Sequence, residues 1–317
     1  MKQTYKTGSL AILFFSVSQI AIAGPWFTGP ILAPAGHTIP KGHTNLEIYG
    51  FKTEVTGIYD DQGHVNQVPH IGSISVNPIL SYGLTEKIDG QLVVTYNDNH
   101  RTDVHSQRMG DTNVTLGYQL MEQKAARWRP DLRVTLQEIF PTGRFDHLNP
   151  EKLGTDSTGL GSYQTALNLN FQHLVQLADV NYLRTRLSIG YVKANDVHIE
   201  GLSAYGGTAF TSGKVNPGNT FGADLAAELT LTQNWVAVME VNASDRQATK
   251  FSGQTGFDDI DDFDTIGHSV GKQVSLAPAI EYNFSPNVGI ISGVWFPVYG
   301  RNTAKFTSYV VALNAYW

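Results

Sequence analysis

Six charged residues, Arg184, Arg186, Asp224, Glu228, Glu240 and Glu281, all fall on expected inward positions of consecutive alternating segments. In 183–191, 221–229 and 274–284 they fall in the row of small and polar residues, opposite an apolar row. Guanidinium and carboxylate groups facing one enclosed space can filter solutes by charge. The same groups can instead close on one another as an ion-pair network that fills a narrow interior. Both readings stand on the sequence, and a network can also be a gate. A second cluster is the acidic run Asp258, Asp259, Asp261, Asp262 and Asp264. Its oxygens could ligate Ca²⁺, but the spacing is not that of an EF-hand and the glycine of the sharp turn is missing. A solvated loop tip is the better reading, so neither metal nor cofactor is expected.

Of the 10 histidines, only His173 falls clearly inside an alternating segment. His64, His70, His100, His105, His147, His198 and His268 stand in or beside the longer connections. Asp103 and His105 could form an acid/base pair, and surface serines could supply a nucleophile. Neither Gly-x-Ser-x-Gly nor His-Glu-x-x-His is present to support an enzyme. With no cysteine, disulfides, thiol nucleophiles and Cys-ligated metals are excluded. A net charge of −6 argues against nucleic acid as a partner.

The elements that must position these groups are strands. Alternation and turn signals divide the chain into twelve segments, roughly 44–55, 70–82, 88–98, 110–121, 130–140, 161–173, 182–194, 218–231, 235–245, 270–284, 288–298 and 305–317. Most are long enough for a tilted membrane-crossing strand. Their connections alternate long and short. Long ones lie near 56–69, 99–109, 141–160, 195–217, 246–269 and 299–304; the tightest lie at 83–87, 232–234 and 285–287. Loops on one side and tight turns on the other is the outer-membrane pattern, with turns periplasmic. Aromatics near strand ends, such as Tyr82, Tyr96, Tyr191, Phe221, Trp235 and Phe284, suit two interfacial girdles. In 305–317 an alternating strand ends on Trp317, which fits a closing strand whose aromatic serves as an assembly signal.

Lys2 and Lys6, the apolar run 10–22 and the Ala21-Ile22-Ala23 box read as a secretory signal peptide. The expected organisation is a signal peptide at 1–23, a Pro-rich periplasmic segment or plug at 24–43, and a barrel at 44–317. The fold expected is all-β, a transmembrane antiparallel up-and-down β-barrel of about twelve strands with both termini periplasmic. The segment 24–43 holds Pro25, Pro30, Pro34 and Pro40 with Trp26, Phe27, Ile31 and Leu32 among them. Proline makes it neither strand nor helix. Its apolar side chains suit a plug in the periplasmic mouth, a device that resembles the long-chain fatty-acid transporters; a periplasmic tail is the other reading.

Three segments carry a family resemblance. Gly110-Asp111-Thr112-Asn113-Val114-Thr115-Leu116-Gly117-Tyr118 is similar to a Gly-Asp strand opening. Pro130-Asp131-Leu132 runs to Phe140-Pro141-Thr142-Gly143, a strand ending in Pro-Thr-Gly. Leu153-Gly154-Thr155, then 159–164, is similar to a Gly-Thr-Gly segment, interrupted here by Asp156-Ser157-Thr158. Together they resemble outer-membrane barrels named for a putative MetA pathway of phenol degradation. The resemblance implies a transport role and carries over no catalytic residue. The expected partners are outer-membrane lipids, the barrel-assembly machinery and small-molecule solutes, apolar or aromatic ones included. A structural or surface-interaction barrel with contact loops 195–217 and 246–269 is the second reading, and a barrel hydrolase the third. The oligomeric state is left open.

Overall fold

The computed structural model describes residues 24–124, 128–256 and 266–317. The expected signal peptide and the acidic run Asp258–Asp264 lie outside the described residues. The rest closes into a 12-strand antiparallel barrel. β1 (Thr44–Tyr59) and β2 (Val65–Gly83) are continuous staves. The third stave is β3 (Ile88–Val93) prolonged by β4 (Tyr96–Arg101), and the fourth is β5 (Val104–Met109) prolonged by β6 (Thr112–Met121). β7 (Asp131–Phe140), β8 (Gln164–Gln176) and β9 (Tyr182–Ala194) follow. β10 (Val197–Glu200) and β11 (Ser212–Asn216) leave the wall before β12 (Thr220–Thr230) and β13 (Trp235–Arg246). β14 (Lys250–Gln254) joins β10 and β11 in a separate 3-stranded sheet. The tenth stave is β15 (Gly271–Leu276) with β16 (Ala279–Ser285); β17 (Val288–Arg301) and β18 (Thr303–Tyr316) complete the wall. β1 pairs with both β2 and β18, so the sheet has no free edge.

Burial is inverted relative to a soluble protein. Leu167 is 54% exposed while its neighbours Ala166 and Asn170 are buried. Leu225, Ile280 and Leu313 are exposed, and Glu228, Glu240 and Glu281 are 0% exposed. Apolar rows facing out and charges facing in suit a wall bathed in lipid. The interior is not uniformly polar, however. Tyr49, Val236, Val238, Ala277, Ile291, Val310 and Ala312 point inward and pack around Ile31 of the N-terminal segment.

Several connections differ from expectation. The stretches 56–69, 99–109 and 299–304, expected as loops, are mostly strand. The wall overhangs there and turns tightly at Thr102 and Asn302, both with positive φ. Polar side chains on these overhangs hid the strands, because alternation fades once neither face is apolar. The stretches 195–217 and 246–269 supply β10, β11 and β14, whose small core is Val197, Ile199, Tyr205 and Val215. Four histidines placed in or beside loops, His70, His100, His105 and His198, lie on strands for the same reason. Tyr96 opens β4 at the interruption of the third stave, and so lies mid-stave and not at either end of the wall.

Candidate functional site

The charged wall is built by register. Glu228 pairs across from Arg184, and Ala226 across from both Arg186 and Glu240. Glu281 lies across from Val236 one stave further. The period of two then turns all of these carboxylates and guanidiniums inward. Arg184 Nε donates to Glu228 at 2.6 Å, and its second nitrogen meets the other oxygen of that carboxylate. Arg186 Nε lies 3.3 Å from Glu228. Asp224, higher on β12, is half-buried and accepts from the Asn242 amide at 2.8 Å. The structure thus joins Arg184, Arg186 and Glu228 directly, and leaves Glu240, Glu281 and Asp224 to other partners.

Those partners are mostly backbone amides of residues 24–43. An irregular, proline-broken segment inside a barrel has donors with no ladder to satisfy them. Glu281 accepts from Thr28 N at 2.9 Å and Gly29 N at 3.2 Å. Glu240 accepts from Ile31 N, from Leu32 N at 3.0 Å and from Ala33 N at 2.8 Å. Arg186 donates to the Ala33 carbonyl at 3.1 Å, and the Arg184 guanidinium sits 4.0 Å over the Phe27 ring. Each of these two carboxyl groups thus takes two or three backbone donors of the segment. Trp26 is held through its carbonyl by Asn283, Ile31 fills the apolar cluster, and Leu32 packs against that cluster.

The segment then reaches the opposite wall. Gly36 passes so close to β8 that an added Cβ would stand 2.7 Å from the Gln172 backbone nitrogen. The Gln119 amide donates to the Gly36 carbonyl at 3.1 Å and its oxygen accepts from Thr38 N at 2.7 Å. Ile39 N donates to Asp89 at 3.0 Å, and Arg133 holds that carboxylate at 2.8 Å. His37 stands 3.7 Å from Asp131, whose carboxylate raises the imidazole pKa against the lowering effect of burial. In the order of pairing, β13 and β16 are nearly opposite β6 and β3. Residues 24–43 therefore form a strap across the interior with a foot on each wall. The first foot stands on Glu240 and Glu281, the second on Gln119 and Asp89.

Beside the strap a cavity of about 340 Å³ remains, lined by Leu32, Glu47, Phe51, Asn77, Gln137 and Arg186 among others. That volume is in the range of small-molecule sites. The second foot was missed in the sequence, although Asp89 and Arg133, like Glu228, stand on the inward row of their own strands. Trp317 exchanges hydrogen bonds with Thr44 at 2.8 and 3.0 Å, sealing β18 to β1, and its side chain points outward. Asp103 lies in the turn between β4 and β5 while His105 faces Asp98 at 3.7 Å, so the imagined acid/base pair is not formed.

No family model matches the chain, and no curated protein matches it. The resemblance to the phenol-degradation family thus rests on its three segments alone. Among solved structures, the COG4313 outer membrane channel from Pseudomonas putida F1 is similar with a TM-score of 0.69, 12% identity, and coverage of 90% of this chain and 100% of that one. The NanC porin, at a TM-score of 0.42, 10% identity and coverage of 85% and 98%, is a looser likeness. So is a monoaromatic hydrocarbon channel, the TodX deltaS2S3 mutant, at 0.38, 12% identity and coverage of 87% and 91%. The first likeness shows the fold: the described residues make a barrel of the outer-membrane type, with a strap anchored across its inside.

Proposed function

We propose that the chain is an outer-membrane channel through which small solutes, apolar or aromatic ones included, diffuse passively, and that residues 24–43 gate it. The observation that carries this is the strap itself. A barrel built only as a scaffold would fill its interior with side chains. Here part of the interior is filled by a proline-broken segment that belongs to no stave and is held on charged groups, beside a cavity of about 340 Å³. In this reading the turn end is periplasmic, residues 1–23 are cleaved on export, and Trp317 is the strand signal read by the barrel-assembly machinery. Arg184, Arg186, Asp224, Glu228, Glu240 and Glu281 form the constriction, and Trp26, Phe27, Ile31 and Leu32 belong to the plug.

The second reading, a surface-interaction barrel, is favoured by the sheet of β10, β11 and β14 with its own core at the loop end. Planar-bilayer conductance separates the two. Removing 24–43 is expected to turn small, rare openings into a steady conductance at least tenfold larger. No conductance and no solute uptake in liposomes, with or without 24–43, would sink the channel reading.

A further inference from the structure

Glu54, His70 and His100 meet on the outer face of the wall, at its loop end, where none of them touches the lumen. Each offers a ligand atom, and these atoms all lie within 4.8 Å of one another. Three backbone features bring them together. Glu54 on β1, Gly72 on β2 and His100 on β4 stand in one row of the ladder. Gly72 leaves the middle of that row empty: a Cβ there would lie 2.1 Å from His100 Nε2 and 3.0 Å from Glu54 Oε2. The imidazole therefore occupies the space a side chain would fill and leans towards the carboxylate. Finally, the pairing of β1 with β2 slips between Val55 and Gly57, opposite a bulge that contains His70. Bulges re-aim side chains, and this one sets His70 Nε2 on Glu54 Oε2.

We propose that Glu54, His70 and His100 bind a divalent transition-metal ion of the zinc class, clipping β1, β2 and β4 together at the loop end. Two imidazoles and one carboxylate, with the remaining position open to water, form a ligand set that suits zinc. Tetrahedral zinc with bonds of about 2.0–2.2 Å places its ligand atoms roughly 3.4 Å apart. The three ligand atoms, all within 4.8 Å of one another, are spaced on that order. Lys52 lies 3.5 Å from the other oxygen of Glu54 and leaves the oxygen that faces the imidazoles to the ion. Calcium and magnesium prefer oxygen-only shells and are not expected here. This assignment is independent of the channel reading.

The test is a titration of the folded full-length barrel in detergent with Co²⁺, followed by displacement with Zn²⁺, reading the visible absorption of cobalt. Saturable uptake of one ion per chain is expected, with Ca²⁺ and Mg²⁺ failing to compete. His70→Ala and His100→Ala should each weaken binding on the order of tenfold or more. Gly72→Ala should do the same with every ligand intact. His105→Ala, which removes a neighbouring imidazole, should change nothing. Heat-modifiable gel mobility shows that each variant is folded; if His100→Ala is not, His100→Gln replaces it. In the unaltered chain Zn²⁺ should slow amide exchange where β1, β2 and β4 meet. Unchanged affinity in the His70 and His100 variants, equal loss in His105→Ala, competition by Ca²⁺, or no slowing of exchange would overturn the proposal.

Discussion

The two feet of the strap solve the same problem with different chemistry. At the first foot, five amides, those of Thr28, Gly29, Ile31, Leu32 and Ala33, lean on the two carboxylates of Glu281 and Glu240. Arg184 and Arg186 are turned to Glu228, so these two acids rely chiefly on the strap. At the second foot, Asp89 is held by Arg133 whether or not the strap is present, and Gln119 is neutral. The second foot also lies only a few residues before β1, so the chain itself tethers it. The comparison teaches that a gate moved by charge would let go at the first foot and hinge at the second.

The largest expected effect comes from breaking the first foot. Replacing Glu240 and Glu281 together by alanine orphans five donors, three buried and two part-buried, the buried ones each costing about 1–3 kcal/mol. Even about 3 kcal/mol of net loss shifts the strap population more than a hundredfold. Amide exchange over residues 28–33 should become fast, and openings in a bilayer should become frequent. Protection unchanged in that variant would show that the carboxylates do not hold the strap.

A smaller effect of a different kind is expected at the second foot. Arg133→Met strands a buried carboxylate on Asp89 and should lower barrel stability by about 3–5 kcal/mol, seen as an earlier urea midpoint. Opening frequency should stay close to that of the unaltered chain, because Gln119 still holds Thr38. A variant that opens like the first-foot double variant would erase the distinction between the feet.

The smallest effect is on pH. Asp131 raises the His37 pKa from its ordinary 6.5. The contact is therefore fully present below that ordinary value and is lost as pH rises through the raised one. His37 is 47% exposed, so solvent screens the pair and the change should be modest. Exchange protection near residue 37 should fall slightly from pH 6 to pH 8, and His37→Gln should remove that slope. A protection that rises with pH would reverse the assignment.

Most of the wall was legible in the sequence, because each stave carries its own signal. Leu167, Leu225 and Leu313 face outward where alternation put them, and Glu228, Glu240 and Glu281 face in. The rule fails where the backbone breaks. Met109 and Val114 both point outward although their numbers differ in parity, since the stave is interrupted at residues 110–111. The apolar cluster around Ile31 was also hidden, because its members lie on several staves and none is unusual alone.

Local order and long-range order divide here. The sequence by itself determined that there would be twelve long antiparallel strands, which face of most of them is apolar, and that residues 24–43 could be neither strand nor helix. Those are properties of φ, of donor loss at proline and of a period of two, all written within a few residues. Only the tertiary structure decided what the inward charges hold. The bond from Gly29 to Glu281 spans 252 positions, and the row from Glu54 over Gly72 to His100 crosses three staves. Neither leaves a local trace, because it depends on which stave closes against which and in what register.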